Sequence, residues 1–186
     1  MRLNTLHKVL VGVAVFSLLG FILLKNRKKS SSPLKVLFLG GLDTRKNDKD
    51  ISVQSKLLQE GLGDKYSIKA YRYTNGKELI SDITKNSKVI VVMFSAGCSQ
   101  SFAVAKAMKN NNQKLSNVYI VEPYHSGGTT TKSVQKAVEL GVPQKNVLVG
   151  TNSNTGLGVV SNTTQTPKCS PKHWCSLTKV GEIISK

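Results

Sequence analysis

Five short apolar runs, Lys35–Leu39, Ser67–Tyr73, Lys88–Phe94, Val118–Val121 and Asn146–Val149, alternate along the chain with segments of helical character. The third run is nearly continuous in Val, Ile, Met and Phe, as the buried middle of a parallel sheet requires, whereas the second alternates apolar and polar positions. Ile51–Leu62 carries apolar residues at 51, 53, 57, 58 and 62, the spacing of an amphipathic helix that Gly61 and Gly63 can end. Lys77–Lys85, Ala96–Lys109, Thr130–Leu140 (stopped by Gly141, with Pro143 beyond) and Ser176–Ser185 are the other helices. The stretch 151–171, rich in Ser, Thr, Asn and Gly, reads as loop.

Strands alternating with helices build βαβ units, so the fold class expected is α/β: an open, mostly parallel sheet of about five strands with helices on both faces. Right-handed crossovers favour the strand order 2-1-3-4-5, with the functional edge at the carboxyl ends of the strands. The turns at that edge are Gly40-Gly41-Leu42-Asp43, Ser95-Ala96-Gly97, 122–128 and 150–154.

In front of this domain, Val9 to Leu24 is apolar apart from Gly12, Ser17 and Gly20, with Arg2 and Lys8 before it and Lys25, Arg27, Lys28 and Lys29 after it. With snorkelling of the flanking lysines it reaches the lower limit of a spanning helix, which needs ~17–20 residues. Residues 1–32 therefore read as one N-terminal transmembrane helix with a basic linker ending in Ser30-Ser31-Ser32, and 33–186 as the domain. A cleaved signal peptide is disfavoured because no small-x-small site follows Leu24; an interfacial or buried helix is the third possibility. The expected localisation is a single-pass membrane protein. The more basic flank places the domain on the cytoplasmic side by a small charge difference that leaves orientation open.

The net charge is +17, and only six of the 27 basic residues lie in the first 32 positions, so the domain is itself basic. The lysines are scattered along the sequence, aromatics make up only 6%, and no nucleic-acid motif is present, so specific nucleic-acid binding is not expected. Solubility explains the charge better than a dedicated anionic partner. Three cysteines make no disulfide framework: Cys169 and Cys175 are close enough in sequence to bridge or can remain thiols, and Cys98 stands apart. Asn162-Thr163-Thr164 fits a glycosylation acceptor, a tripeptide common by chance. There is no glycine-rich nucleotide loop and no zinc spacing, so no cofactor or metal is expected.

Phe94-Ser95-Ala96-Gly97-Cys98 joins the most apolar strand directly to a helix. This resembles the nucleophile elbow of the α/β-hydrolase superfamily, Gly-x-Ser-x-Gly between strand and helix, with Gly97 as the second glycine and Met93 in place of the first. The resemblance implies a minimal, lidless serine hydrolase-like domain with Ser95 as nucleophile. The register Gly97-Cys98-Ser99-Gln100-Ser101 would place it at Ser99 but ends the strand too early. The resemblance also implies an oxyanion hole made by the amides of Leu42, after Gly40-Gly41, and Ala96.

Of the histidines His7, His125 and His173, the last fits the superfamily order of Ser, acid, His, and His125 also falls just past a strand. The acid implied is Glu122, at the end of the fourth strand, with Asn152 or Asp43 as other candidates to orient the histidine. Cys98 at a helix start could be an activated thiol or pack beneath the turn. The function expected is ester or amide hydrolysis on a small-molecule or lipid ester at a membrane surface. The alternative is a catalytically inactive binding module of the same fold. An esterase of the GDSL/SGNH type is a third reading, from Gly41-Leu42-Asp43-Thr44 and His173, but Leu42 stands at the nucleophile's place and Ser170 at that of the aspartate.

Overall fold

The computed structural model describes residues 33–45, 48–123, 128–150, 164–166, 174 and 176–186. All belong to one unit, Pro33–Lys186. In chain order the elements are β1 (Leu34–Leu39), α1 (Asp48–Leu62), β2 (Tyr66–Tyr71), α2 (Gly76–Lys85), β3 (Ile90–Phe94) and α3 (Ser101–Asn110). They continue with β4 (Val118–Val121), α4 (Thr129–Leu140), β5 (Val147–Gly150), β6 (Thr164–Thr166) and α5 (Ser176–Ser185). The six strands form one parallel sheet in the order β2-β1-β3-β4-β5-β6.

The fold is therefore α/β, with the expected order for the first five strands. The sixth, of only three residues, extends the β5 edge from a stretch read as loop. Its Thr-Gln-Thr has no apolar signal, and only pairing with β5 makes it a strand.

Alternation along the strands divides the core into two layers. Leu37, Leu39, Val91, Met93 and Ile120 face Leu79 and Ile83 of α2, Val104 and Met108 of α3, and Val134 of α4. Val36, Phe38, Val92, Phe94, Val121 and Leu148 face Leu58 and Leu62 of α1 and Leu177, Val180 and Ile184 of α5. All five residues of β3 are buried, as its composition demands of a central strand. Among the described residues, both layers are built from positions 34–184, all within the compact unit Pro33–Lys186.

Helix α1 ends at Gly63, whose φ of +72° suits a left-handed cap and whose N–H donates to the Gln59 carbonyl at 3.0 Å. Gly61, the other stop expected, lies instead inside the helix and serves its packing against α5. Among the described residues no helix is long and apolar enough to cross a membrane; the apolar segment 9–24 lies outside them.

Candidate functional site

The chain leaves β1 for β2 on one side and passes from β3 to β4 on the other, so the switch point of the sheet lies between β1 and β3. In open α/β sheets the crevice beyond the carboxyl ends of such strands is where ligands bind. Leu39 pairs with Met93, and Phe94 with Val121. That register sets the glycine loop after β1, Ser95 after β3 and Glu122 after β4 side by side, one step beyond the strand ends.

Ser95 is held at φ +52° and Glu122 at φ +46°, the left-handed region that L-residues avoid. Such strain, about 1–3 kcal/mol each, persists only where surrounding structure imposes it, and it clusters at functional sites. Ser99, the other register of the elbow, is not among the residues at positive φ. Ser95 is 7% exposed and Glu122 and Ala96 are buried.

The turn is built by close backbone approach. A Cβ on Gly97 would lie 2.7 Å from the Gly40 carbonyl and 2.9 Å from that of Leu39. A Cβ on Gly41 would lie 2.9 Å from the Ser95 Cβ and 3.3 Å from its Oγ. Gly97 and Gly41 thus let the β1 loop and the β3 turn touch. Met93, in the place of the elbow's first glycine, is fully buried in the layer under α3.

The helix expected from Ala96 begins differently: Ser95–Gln100 is a 3-10 run and α3 starts at Ser101. Two side chains tie it down. The Ser101 hydroxyl donates to the Cys98 carbonyl at 2.6 Å. The Cys98 thiol lies 3.3 Å from the Met93 carbonyl and 3.4 Å from that of Val121. Cys98 is fully buried, and burial pushes its thiol far above the usual range, so it bridges the ends of β3 and β4 as a neutral donor.

The glycine loop is fixed by two residues the sequence did not single out. Gln54 Oε1, on α1, accepts the Gly41 N–H at 3.2 Å. Thr44 Oγ1 donates to the Gly41 carbonyl at 2.7 Å and accepts the Tyr73 N–H at 2.9 Å. Because the two ends of a peptide point opposite ways, the Gly41 carbonyl aimed at Thr44 turns the Leu42 N–H away from it. Leu42 is 43% exposed. The signal for Gln54 was present: it lies on the stripe Ile51, Gln54, Leu58, Leu62, a polar residue at a core position.

Gln54→Leu leaves the buried Gly41 N–H without its acceptor. The expected loss is about 1–2 kcal/mol in urea unfolding, within the ~1–3 kcal/mol of an orphaned group. It is partly offset because Gln54 Nε2 has no partner among the described residues. Unchanged stability together with unchanged hydrogen exchange at Gly41 would show that Gln54 does not hold the loop.

Helix α5 returns the chain to the same edge. Tyr66, at the start of β2, donates its hydroxyl to the Ile184 carbonyl at 3.3 Å, so the far end of α5 lies at the amino-terminal edge and its start at the carboxyl edge. Trp174, just ahead of α5, packs against the layer that holds Phe38 and Phe94. His173, His125, His7, Asn152, Ser170, Cys169 and Cys175 lie outside the described residues, as does the side chain of Asp43. Among the described residues no group of three His, Cys, Asp or Glu side chains is placed to hold a metal.

A separate groove of about 550 Å³ runs along β2, lined by Asp48, Tyr71, Arg72, Glu78, Asp82 and Lys85 among others, and by none of the residues around Ser95. Its charges neutralise one another. Arg72 grips Asp48 through Nε and Nη2, and Asp82 receives Lys69 Nζ at 2.5 Å and the Tyr71 hydroxyl at 2.6 Å. The bonds from Lys69 and then Tyr71 hold the Asp82 carboxyl below the usual aspartate range.

A depressed carboxyl contributes stability above its unfolded pKa and loses it as pH falls through the folded one. The wild type should therefore be more stable than Asp82→Asn at neutral pH, with the gap closing below about pH 4. Urea unfolding across that range measures it, and a gap independent of pH would count against the pairing.

No protein family, no curated protein and no solved structure matches the chain.

Proposed function

We propose that residues 33–186 form a serine hydrolase domain acting on an ester or amide, carried at a membrane by residues 1–32 as a single-pass anchor. In this mechanism the Ser95 hydroxyl attacks the substrate carbonyl carbon while His173 takes its proton and Glu122 orients the imidazolium. The amides of Leu42 and Ala96 donate to the oxyanion, where loss of one donor costs about 3 kcal/mol. Collapse of the tetrahedral intermediate expels the alcohol or amine with the proton from His173, and water then releases the acid by the reverse path. No step calls for a cofactor.

The observation that carries this reading is the strained Ser95, at the switch point of the sheet, on a turn whose Gly97 backbone presses against the glycine loop. The burial of Ser95 favours a second reading, an inactive module that binds a ligand at the same edge. Incubation of the folded 33–186 domain with a fluorophosphonate probe decides between them. Covalent labelling that disappears in Ser95→Ala supports the hydrolase, and a folded wild type that never labels supports the binding module.

A further inference from the structure

The lysines that look scattered in the sequence are gathered by the topology. Lys35 is the second residue of β1, Lys65 immediately precedes β2, Lys88 precedes β3, Lys114 precedes β4 and Lys145 precedes β5. All these strands are parallel, so one lysine stands at the amino-terminal end of each, in the spatial order 65, 35, 88, 114, 145. At ~4.8 Å between strands the row spans about 20 Å. Helices descend to the same edge and add Lys85, Lys109 and Lys186. Seven of these eight are exposed, and Lys35 is half-buried with its Nζ donating to Asn86 Oδ1 at 3.4 Å.

Opposing charge on this edge is sparse. The described helix-to-strand connections hold one carboxylate, Asp64. Of the acids in the last helical turns, Asp82 is taken by Lys69 and Tyr71, and Glu182 by Lys179; Glu60 and Glu139 are the others. The strand-to-helix connections at the opposite edge carry no such excess among the described residues: Arg45 and Arg72 stand against Asp43 and Glu122. The helix dipole accounts for a lysine at the end of a helix, such as Lys85 or Lys109, but not for one at the start of each of five strands.

We propose that this amino-terminal edge is a docking face for an anionic lipid surface. The chain enters the domain at this edge, through Pro33 into β1 and within the lysine row, and the preceding sequence is Lys25, Arg27, Lys28 and Lys29 after the apolar run 9–24. The row is all lysine, hydrated point charges on flexible stems that suit headgroups and gain from each residue brought near an anionic bilayer. It contains no arginine, and Tyr66 beside it is half-buried with its hydroxyl donated to the Ile184 carbonyl rather than presented to stack a base. Strands of four to six residues hold the Ser95 edge about 15–20 Å from the docked face. On the hydrolase reading, which this consequence rests on, the site then opens to the aqueous phase, and its substrate is a water-borne ester or amide rather than lipid of the bilayer it sits on.

The test is co-sedimentation of the 33–186 domain with vesicles of phosphatidylcholine alone and with 30% phosphatidylglycerol. The wild type should bind only the anionic vesicles. Changing Lys65, Lys88, Lys114 and Lys145 to Gln should weaken binding more than about 30-fold. The same change at four exposed lysines elsewhere, Lys56, Lys77, Lys106 and Lys132, should weaken it less than about threefold.

Equal losses in the two variants would overturn the proposal, as would binding to neutral vesicles or tighter binding to duplex DNA than to anionic vesicles. Hydrogen exchange on the wild-type domain needs no variant to fold. Vesicles should protect 63–66, 86–90, 111–118 and 141–147, and protection at 40–45 and 95–100 instead would overturn it. None of these readouts uses hydrolysis, so docking and catalysis stand or fall separately.

Discussion

Ser95→Gly is expected to make the domain more stable while abolishing its reaction with a fluorophosphonate. At φ +52° the serine backbone carries a left-handed penalty of about 1–2 kcal/mol that glycine escapes. Glycine gives back about 0.5–1 kcal/mol through the greater freedom of its unfolded chain. The net gain is up to about 1.5 kcal/mol, or a rise of at most about 3–6 °C in Tm for a domain of this size.

Ser95→Ala keeps the strained φ and its Cβ, so it should lose labelling with no such gain. Strain relieved by one variant and chemistry removed by both is the pattern of a residue held in place for its hydroxyl. If Ser95→Gly destabilises the fold, the strain assigned to this turn is wrong. If Ser99→Ala is the variant that stops labelling, the nucleophile lies four residues further on.

A large loss of stability is expected from Gly181→Ala. Helices α1 and α5 meet backbone to backbone: a Cβ on Gly181 would lie 2.5 Å from the Leu58 carbonyl and 2.7 Å from both the Gly61 carbonyl carbon and the Leu62 nitrogen. On the other helix, a Cβ on Gly61 would overlap the Thr178 carbonyl and lie 2.9 Å from the Gly181 Cα. These neighbours are main-chain atoms within regular helices, so no rotamer change relieves the clash, and the helices must separate.

Separation would open the layer that contains Leu58, Leu62, Leu177 and Val180, all 3% exposed or less. Overpacking typically costs 1–3 kcal/mol, and a backbone contact belongs at or above about 3 kcal/mol. Urea unfolding measures it, and a Gly181→Ala domain within about 1 kcal/mol of wild type would mean that the helices do not meet here. Because Trp174 packs on the same layer just before α5, the variant should also lose fluorophosphonate labelling in proportion to its unfolding.

The sequence by itself determined the elements and the order of the five main strands. Apolar period and punctuation are local properties: the β-branched run of β3, the alternation in β2, and Gly141 with Pro143 after α4 each act within a few residues. It also marked Ser95 and Gly97, because a strand that runs straight into a helix through a small residue leaves few conformations for the turn. It could not show that Ser95 is the strained position rather than Ser99, since that depends on Gly97 pressing against Gly40 across two strands.

Tertiary structure alone decided the rest. Gln54 became the acceptor for Gly41, Gly61 became a helix contact instead of a helix stop, and Thr164–Thr166 became a strand by pairing with β5. The lysine row is the clearest case. Its members lie 23 to 31 residues apart along the chain, and only parallel pairing, which returns every strand to the same starting edge, makes them neighbours.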